Sequence, residues 1–494
     1  MRPIQSLYIG CACLCVAMGG RAQETGSPEA TSYRAEIAGS VASGDHTPFW
    51  MVSNRYGIVP LEANNGYLKA GVFHDQTFGD GFRWGAGLDV VAAVPRYRNF
   101  YIQQLYAELG YKCLLLSVGS KERYTSLWDS RLSSGDLTHS TNARPIPEVN
   151  ISIPEFTVVP LTKGWAQVKG DFAIGRSFDK AYLSDFTGGG QTYVDNVLWH
   201  HKSLYLQIKD TRGDFPLSGV VGVQHWAQWG GTSTNPNVGE QPHSLKDFIR
   251  MVCGKEGGGD ATASDQINVL GNHYGSYDFQ LTYTAERWRL SAYHQHYFED
   301  KSGMIFVNNL DGLWGARLDV PEFPWLRKVV VEYLTTRDQS GPFHFIGFDH
   351  DLHPGTGGGG DNYYNNGEYT TGASYFNRAI GSPLILSPEY NEGGQLGFQN
   401  NRMRDWHLAA EGSLSPQVDY RMMVTFMNSW GRHAAPFLQK RRAAAGLIDI
   451  TYRHPRLDGW RFTGSLAADA GSMLGDNIGF SLRIAKEGLL KRWE

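Results

Sequence analysis

Cysteine is scarce in this sequence, and long apolar runs are missing from it. Five cysteines occur in 494 residues, and only Cys113 and Cys253 lie beyond the first fifteen positions. One stands in an apolar segment and the other in a long polar stretch, so no disulfide framework is expected. Beyond residue 22, no uncharged apolar run reaches the roughly 18 residues of a membrane helix. These absences exclude a disulfide-rich scaffold and a helical membrane protein.

An excess of charge of one sign is missing as well. Lysine and arginine number 45 and aspartate and glutamate 49, which gives a formal net charge of −4. This balance lacks the basic signature of a nucleic-acid-binding protein, so we expect no nucleic-acid partner. The sequence also has no Gly-x-Ser-x-Gly elbow, no His-Glu-x-x-His pair and no phosphate-binding glycine loop. We therefore expect no enzyme activity, no cofactor and no metal site.

The N-terminus has the features of a secretion signal. Arg2 supplies a positive charge, an apolar run from Leu7 to Met18 follows, and Gly20-Arg21-Ala22 fits a cleavage site with small residues. We predict a signal peptide over residues 1–22, which directs Sec export, and a mature chain over residues 23–494.

Side chains alternate in character along the last part of the chain. From Trp460 to Asp469, and again from Asn477 to Ile484, apolar residues alternate with polar or small ones. Because successive side chains on a strand point to opposite faces, each segment has one apolar and one polar face. In an outer-membrane barrel the apolar face meets lipid and the polar face meets the lumen. In a soluble sandwich the polar face meets water, so the alternation alone fits both.

The gaps between the alternating segments distinguish these two settings. The whole chain gives about 18 such segments, an even number as in single-chain bacterial barrels. Short gaps such as 79–81 and 285–286 alternate with long ones such as 230–270 and 339–405. Periplasmic turns and extracellular loops alternate in the same way. We predict an all-β fold, a transmembrane antiparallel β-barrel of about 18 strands, with both termini periplasmic, in a Gram-negative outer membrane. A secreted β-sandwich or propeller is the alternative.

One loop carries a motif that points to a family. The run Ser133–Glu148 contains Asn-Ala-Arg-Pro-Ile-Pro and enters the alternating segment Val149–Pro154. Here, and more weakly at Trp165 and at Phe178-Asp179, the chain resembles the Wzi capsule-assembly family of outer-membrane β-barrels. The resemblance implies eighteen strands and a cell-surface lectin that binds capsular or exopolysaccharide and helps to attach or assemble the capsule. It also implies outer-membrane lipid and the capsule export machinery as partners.

Candidate polysaccharide-binding residues lie in three segments. Sugar sites combine aromatic rings for the apolar sugar faces with polar groups that hydrogen-bond hydroxyls and carboxylates. The candidates of both kinds are Arg131, Asp136, His139, Asn142, Arg144, Trp226, Trp229, Tyr363 and Tyr364.

Each group of candidates also has a structural role as the alternative to sugar binding. Arg144 and Asp136 would pair and hold their loop inside the barrel mouth. The two tryptophans would belong to an interfacial aromatic girdle, which is usual in barrels. The Asn362–Asn366 segment would pack over the mouth. The segment Asp349–His353 offers two carboxylates and two imidazoles but matches no recognised metal-ligand spacing.

Two other functions are compatible with a barrel. A porin or sugar-selective diffusion channel would have an open, conducting lumen. An outer-membrane hydrolase would place a Ser–His pair together in space without a sequence signature.

Overall fold

Eighteen antiparallel strands form one closed sheet in the computed structural model, within the residues that it describes. These are residues 30–492 except 96–97, 260, 263–264, 267–268 and 344–358. The predicted signal peptide and the Asp349–His353 segment therefore lie outside the described residues. Each strand pairs with its neighbours in sequence, and the first strand also pairs with the last, which closes the barrel. The prediction of an 18-stranded barrel is confirmed.

The first nine strands are β1 (Ala30–Ala42), β2 (Asn65–Phe78), β3 (Phe82–Val94), β4 (Phe100–Tyr111), β5 (Leu114–Ser120), β6 (Glu148–Val158), β7 (Ala166–Arg176), β8 (Leu198–Ile208) and β9 (Leu217–Trp229). The other nine are β10 (Asn272–Thr284), β11 (Arg289–Phe298), β12 (Gly312–Asp319), β13 (Lys328–Thr335), β14 (Arg404–Ser415), β15 (Val418–Gly431), β16 (Pro436–Arg453), β17 (Trp460–Ala470) and β18 (Asn477–Arg492).

The loops contain short helices and small two-stranded pairings. The α-helices are α1 (Phe49–Val52), α2 (Lys180–Thr187), α3 (Leu245–Val252) and α4 (Lys301–Met304). The 3-10 turns are Pro324–Leu326, Pro388–Tyr390 and Glu392–Gly394. The small two-stranded pairings are Val194–Asp195 with Thr232–Ser233, and Ser374–Tyr375 with Arg378–Ala379. No helix in the described part of the chain is long and apolar enough to cross a membrane.

The two faces of the wall follow the predicted alternation. Leu466 on β17 and Phe480 on β18 are 54% and 51% exposed on the outside, whereas Ala467 and Asp469 are buried on the inside. An exposed apolar band around a closed barrel suits hydrocarbon, where every backbone polar group needs a partner within the protein. The facing predicted for these strands is confirmed.

Turns and loops sort to opposite ends of the barrel. Connections such as 79–81 and 416–417 are short, whereas 121–147, 230–271 and 336–403 are long and share the other end. Ala30 pairs with Arg492, so β1 begins and β18 ends at the short-turn side, which we assign to the periplasm.

A loop segment fills the middle of the barrel. The segment 121–147 leaves β5, descends into the lumen and returns to β6. The amide and hydroxyl of Ser134 donate to the Glu332 carboxylate of β13 at 2.7 and 2.6 Å. On nearby strands, Gln224 of β9 and Gln295 of β11 donate to Asp136 at 2.9 and 2.8 Å. Lys69 of the distant strand β2 donates to Glu122 of the same segment at 2.8 Å, so the segment is bonded to strands around the barrel.

Two further segments complete this filling. Trp50 in the segment 43–64 donates from its indole to Thr425 of β15 at 3.0 Å, and Tyr364 in the segment 359–403 packs in the same buried cluster. We call these two segments together with 121–147 the plug. Its interior is aromatic and aliphatic, and several of its polar groups bond to the wall.

Charged side chains on the inner face of the wall form ion pairs with one another and with the plug. Arg34 pairs with Asp89 and, at 3.1 Å, with Glu122. Lys69 lies 3.2 Å from Asp89 and 2.8 Å from Glu122. Both signs are thus balanced on the inner wall.

Candidate functional site

Asp136 is a buried hub of the plug. Its carboxylate accepts hydrogen bonds from Thr138 and His139 of its own loop as well as from the two wall glutamines. Asn142, also buried, donates to the Ala379 carbonyl at 3.1 Å and accepts from the Asn54 amide at 3.2 Å. Asp136 therefore holds its loop to the wall, and Asn142 holds three plug segments to one another.

Tyr363 and Tyr364 are fully buried in the plug. The Tyr363 hydroxyl accepts from the Asn308 side chain at 2.7 Å. The Tyr364 hydroxyl donates to the Leu137 carbonyl at 2.5 Å and accepts from the Ser382 amide at 2.9 Å. Burial raises the pKa of both phenols well above its usual value. The packed position proposed for the Asn362–Asn366 segment is the one observed.

Trp226 faces the lumen in a stack of three rings. Its indole lies between the imidazoles of His139, at 4.9 Å, and His201, at 4.2 Å, with both imidazole planes nearly parallel to it. His201 bonds through its two nitrogens to Glu148 and Asp171, each at 2.8 Å. Burial is the main reason that the pKa of His139 falls to about 4. This tryptophan is therefore not part of an interfacial girdle.

Trp229 points out of the barrel but does not reach solvent. It is three residues from Trp226, an odd spacing that places the two indoles on opposite faces of β9. Its side chain is 4% exposed, because helix α3 lies over it and Phe248 packs 5.5 Å from its ring.

Arg131 lies on the periplasmic side of the plug. Its guanidinium pairs with Glu411 of β14 at 3.0 Å. Glu411 also binds Lys328, the first residue of β13 after a periplasmic turn. The structure therefore separates Arg131 from the extracellular residues of the predicted set.

Arg144 occupies a gap in the wall at the extracellular end. Strand β4 pairs with β5 only from Leu105 to Tyr111, because β5 is short. The edge of β4 before Leu105 is therefore not paired with β5. The Arg144 guanidinium donates to the Ile102 carbonyl at 3.0 Å on this edge. It also stacks between the rings of Tyr101, at 4.1 Å, and Phe376, at 4.4 Å.

A groove of about 630 Å³ surrounds Arg144. Basic and aromatic side chains contributed by four separate segments line it, namely Arg98, Tyr101, Arg144, Phe178, Tyr182, Tyr375 and Phe376. Phe178 is 59% exposed at its rim. Its apolar lining includes Ile102 and Leu105 of β4, which are 47% and 54% exposed on the outer face of the wall.

The plug and helix α2 position the groove. The buried Asp179, just before α2, accepts a hydrogen bond from the Phe376 amide at 3.2 Å. Burial raises the pKa of this carboxyl to about 6. Phe376 sits at the tip of the plug hairpin, whose Arg378 donates to the Val52 and Val59 carbonyls. Apart from Arg144, which lies in the family motif, only Phe178-Asp179 had a signal in the sequence, as part of the family resemblance.

The groove offers hydrogen-bond donors and ring faces but no visible metal centre. No group of three or more His, Cys, Asp or Glu residues is placed to hold a metal ion in the part of the chain that the structure describes.

The closed barrel, apolar outside and plugged inside, defines a transmembrane β-barrel of the bacterial outer membrane. A model of the family described as capsule assembly protein Wzi matches residues 51–385, more than half of the chain. The chain therefore belongs to this family, and the resemblance noted in its sequence is confirmed.

Solved structures show similarity to the chain. The barrel is similar to Wzi of Escherichia coli, an outer-membrane protein involved in group 1 capsule assembly and described as a carbohydrate-binding β-barrel. The identity is 13%, over 91% of this chain and 83% of that chain, with a TM-score of 0.57. OprD of Pseudomonas aeruginosa follows, with 10% identity over 95% and 98% of the two chains and a TM-score of 0.47. No curated protein matches the sequence.

Proposed function

We propose that this outer-membrane barrel is a surface lectin that binds capsular or exopolysaccharide and helps to attach or assemble the capsule. Its membership of the Wzi family and the description of the Escherichia coli relative support this function. The observation that carries the proposal is the groove at Arg144, which combines the exposed Phe178 ring and the partly exposed Tyr182 and Phe376 rings with two arginines at the extracellular end.

The chemistry of the groove suits an acidic polysaccharide. Aromatic faces such as those of Phe178 and Tyr182 stack against the apolar faces of sugar rings. Arg98 and Arg144 supply planar donors for hydroxyls and carboxylates. The volume falls within the ~300–1,000 Å³ of small-ligand sites, so one barrel would hold a short stretch of polymer. Repeating units along the polysaccharide would then bind several neighbouring barrels, which would add avidity.

The buried candidates act on the groove indirectly in this proposal. Asn142 is hydrogen-bonded to Ala379, which closes the hairpin that carries Phe376. Asp136 and Tyr364 fix the segments on which this hairpin rests. Direct contact with polymer is proposed for Arg144 and its groove neighbours.

The plug favours polysaccharide binding over diffusion through the lumen, because it is bonded to several strands of the wall and its interior is aromatic. We propose no catalytic role, because the family is described by capsule assembly. The capsule export machinery remains a proposed partner, which would deliver polymer to the same outer surface.

The experiment compares cell-bound with shed polysaccharide in a deletion strain complemented by variants. Phe178→Ser and Arg144→Ala should increase shedding and weaken binding of purified capsule polymer to the purified barrel. Arg131→Ala is the matched control, since it removes an arginine on the periplasmic side of the plug. Heat-modified electrophoretic mobility shows whether each variant is folded. Wild-type retention and binding by folded Phe178→Ser and Arg144→Ala variants would overturn the groove assignment.

A further inference from the structure

Polar side chains interrupt the lipid-facing wall at one place. On β8 the exposed Leu206 and Ile208 face outward. His200 and Lys202, an even number of residues away, face outward as well, nearer the extracellular end. His225 on β9 is likewise outward. Unshielded histidine and lysine side chains are unfavourable against hydrocarbon. This part of the wall therefore needs a cover.

Helix α3 supplies the cover. Phe248 packs 5.9 Å from His200 and 6.4 Å from Phe172 of β7. The Lys202 ammonium donates to the Val252 carbonyl at the end of the helix, at 2.6 Å. Ala227, on the outward face of β9, is fully buried beneath it. The helix thus lies on the outside of the barrel, at the extracellular ends of β7 to β9.

The start of α3 is fixed independently of the wall. Ser244 and Asp247 form a reciprocal capping box, in which the Ser244 hydroxyl accepts from the Asp247 amide and the Asp247 carboxylate accepts from the Ser244 amide. Such a cap fixes the first turn of a short helix. The direction of each side chain on α3 is thereby set.

The outer face of α3 is apolar. Leu245 and Ile249, one turn apart, are 75% and 56% exposed. A second segment, 301–310, lies on the wall in the same way: Phe306 packs 4.2 Å from the outward His296 of β11. This segment exposes Ile305 and Leu310. We call α3 and the segment 301–310 the collar.

We propose that the collar is embedded in the outer leaflet, at the boundary between headgroups and acyl chains, and that its partner is membrane lipid. The exposed side chains of α3 continue the lipid-facing surface, because Phe248 contacts Phe172, itself an exposed residue of that surface. Amphipathic helices lie at this depth with their apolar residues in the acyl region. The exposed Lys246 and Lys255 match anionic headgroups.

The collar occupies only one side of the barrel, from β7 to β12. Within the described residues, lipid would therefore meet only strands along β14 to β18, but strands with the overlying collar along β7 to β12. This contact is separate from the polysaccharide groove and does not depend on it.

Single cysteines carrying a bimane fluorophore test the proposal. Cys113 and Cys253 are first replaced by serine, and one cysteine is then placed at Leu245, Ile249 or Leu310. Leu281 of β10 serves as the lipid-facing control, and Leu161, fully exposed in a periplasmic turn, as the water-facing control. The folded barrels are placed in nanodiscs of phosphatidylcholine and phosphatidylglycerol, with and without bromine on the acyl chains.

Brominated lipid should quench the collar labels to an extent close to that at Leu281, and aqueous iodide should quench them far less than at Leu161. Bromine near the headgroup should quench the α3 labels more than bromine near the chain end. Iodide quenching equal to that at Leu161, without quenching by brominated lipid, would overturn the proposal and leave the collar as a water-exposed or protein-binding surface.

Discussion

Ser134 in the plug donates two hydrogen bonds to Glu332 in the wall, from its amide at 2.7 Å and from its hydroxyl at 2.6 Å. The same carboxylate accepts from Ser133 at 2.7 Å and from Tyr293 at 2.5 Å. One buried acid of β13 thus serves four donors.

Replacing Glu332 should loosen the plug without opening the barrel wall. A Glu332→Leu variant leaves buried donors unpaired, and each costs about 1–3 kcal/mol. We expect faster proteolysis within residues 121–147 and raised conductance in planar bilayers. Glu411→Leu, which removes a carboxylate nearer the periplasm, is the comparison. A Glu332→Leu plug as protease-resistant as the wild type would show that packing alone holds it.

Charge on the lipid-facing side should impair insertion. Leu466→Arg or Phe480→Arg places a guanidinium in the bilayer, which costs roughly 2–4 kcal/mol near its middle. The amount of folded protein in outer-membrane fractions is the measurement. Leu161→Arg, in a turn, should have no such effect. Normal levels of both strand variants would contradict the facing of β17 and β18.

Truncating Tyr364 should destabilise the plug strongly. Tyr364→Ala removes a buried ring, at a cost of about 3–5 kcal/mol for large aromatic residues. Tyr364→Phe keeps the ring and loses only the hydroxyl contacts to Leu137 and Ser382, so its effect should be smaller. Denaturant titration followed by tryptophan fluorescence separates the two. Equal effects would assign the role to the hydroxyl instead of the ring.

The pKa of Asp179, raised to about 6 by burial, predicts a pH dependence. The folded state keeps its proton more tightly than an unfolded aspartate, whose pKa is about 3.9. Stability from this group is therefore fully present below about pH 4 and is lost as pH rises through 6, by up to about 3 kcal/mol.

Asp179→Asn should abolish this contribution, because asparagine resembles the protonated acid. We expect the variant to equal the wild type near pH 4 and to be more stable at pH 7.5, measured as resistance of α2 and the Phe376 hairpin to proteolysis. A wild-type advantage at pH 7.5 would mean that the ionised carboxylate stabilises the fold.

Alternation and gap length were enough to predict the barrel, because each strand has only two faces and the membrane gives each face one kind of neighbour. The same rule places Trp226 and Trp229 on opposite sides of β9. Alternation does not show whether another segment covers an outward side chain, so the packing of α3 over Trp229 could not be predicted.

The plug and groove depend on contacts between distant segments. Asp136 looks like a surface residue in a polar loop, yet its partners lie on β9 and β11. Arg144 meets Phe376 although 231 residues separate them in the sequence, as their two residue numbers show. Polar composition suggested exposure, whereas the Asp136 carboxylate is buried with both oxygens hydrogen-bonded.

The contacts of the segment 121–147 constrain the order of assembly. The Leu132 carbonyl accepts from His407, and the pair is 275 positions apart. Until β14 has been synthesised and added to the sheet, this loop lacks a large part of its native surroundings. The barrel must therefore close around a loop from its own first third, so final packing of the interior waits for the C-terminal strands.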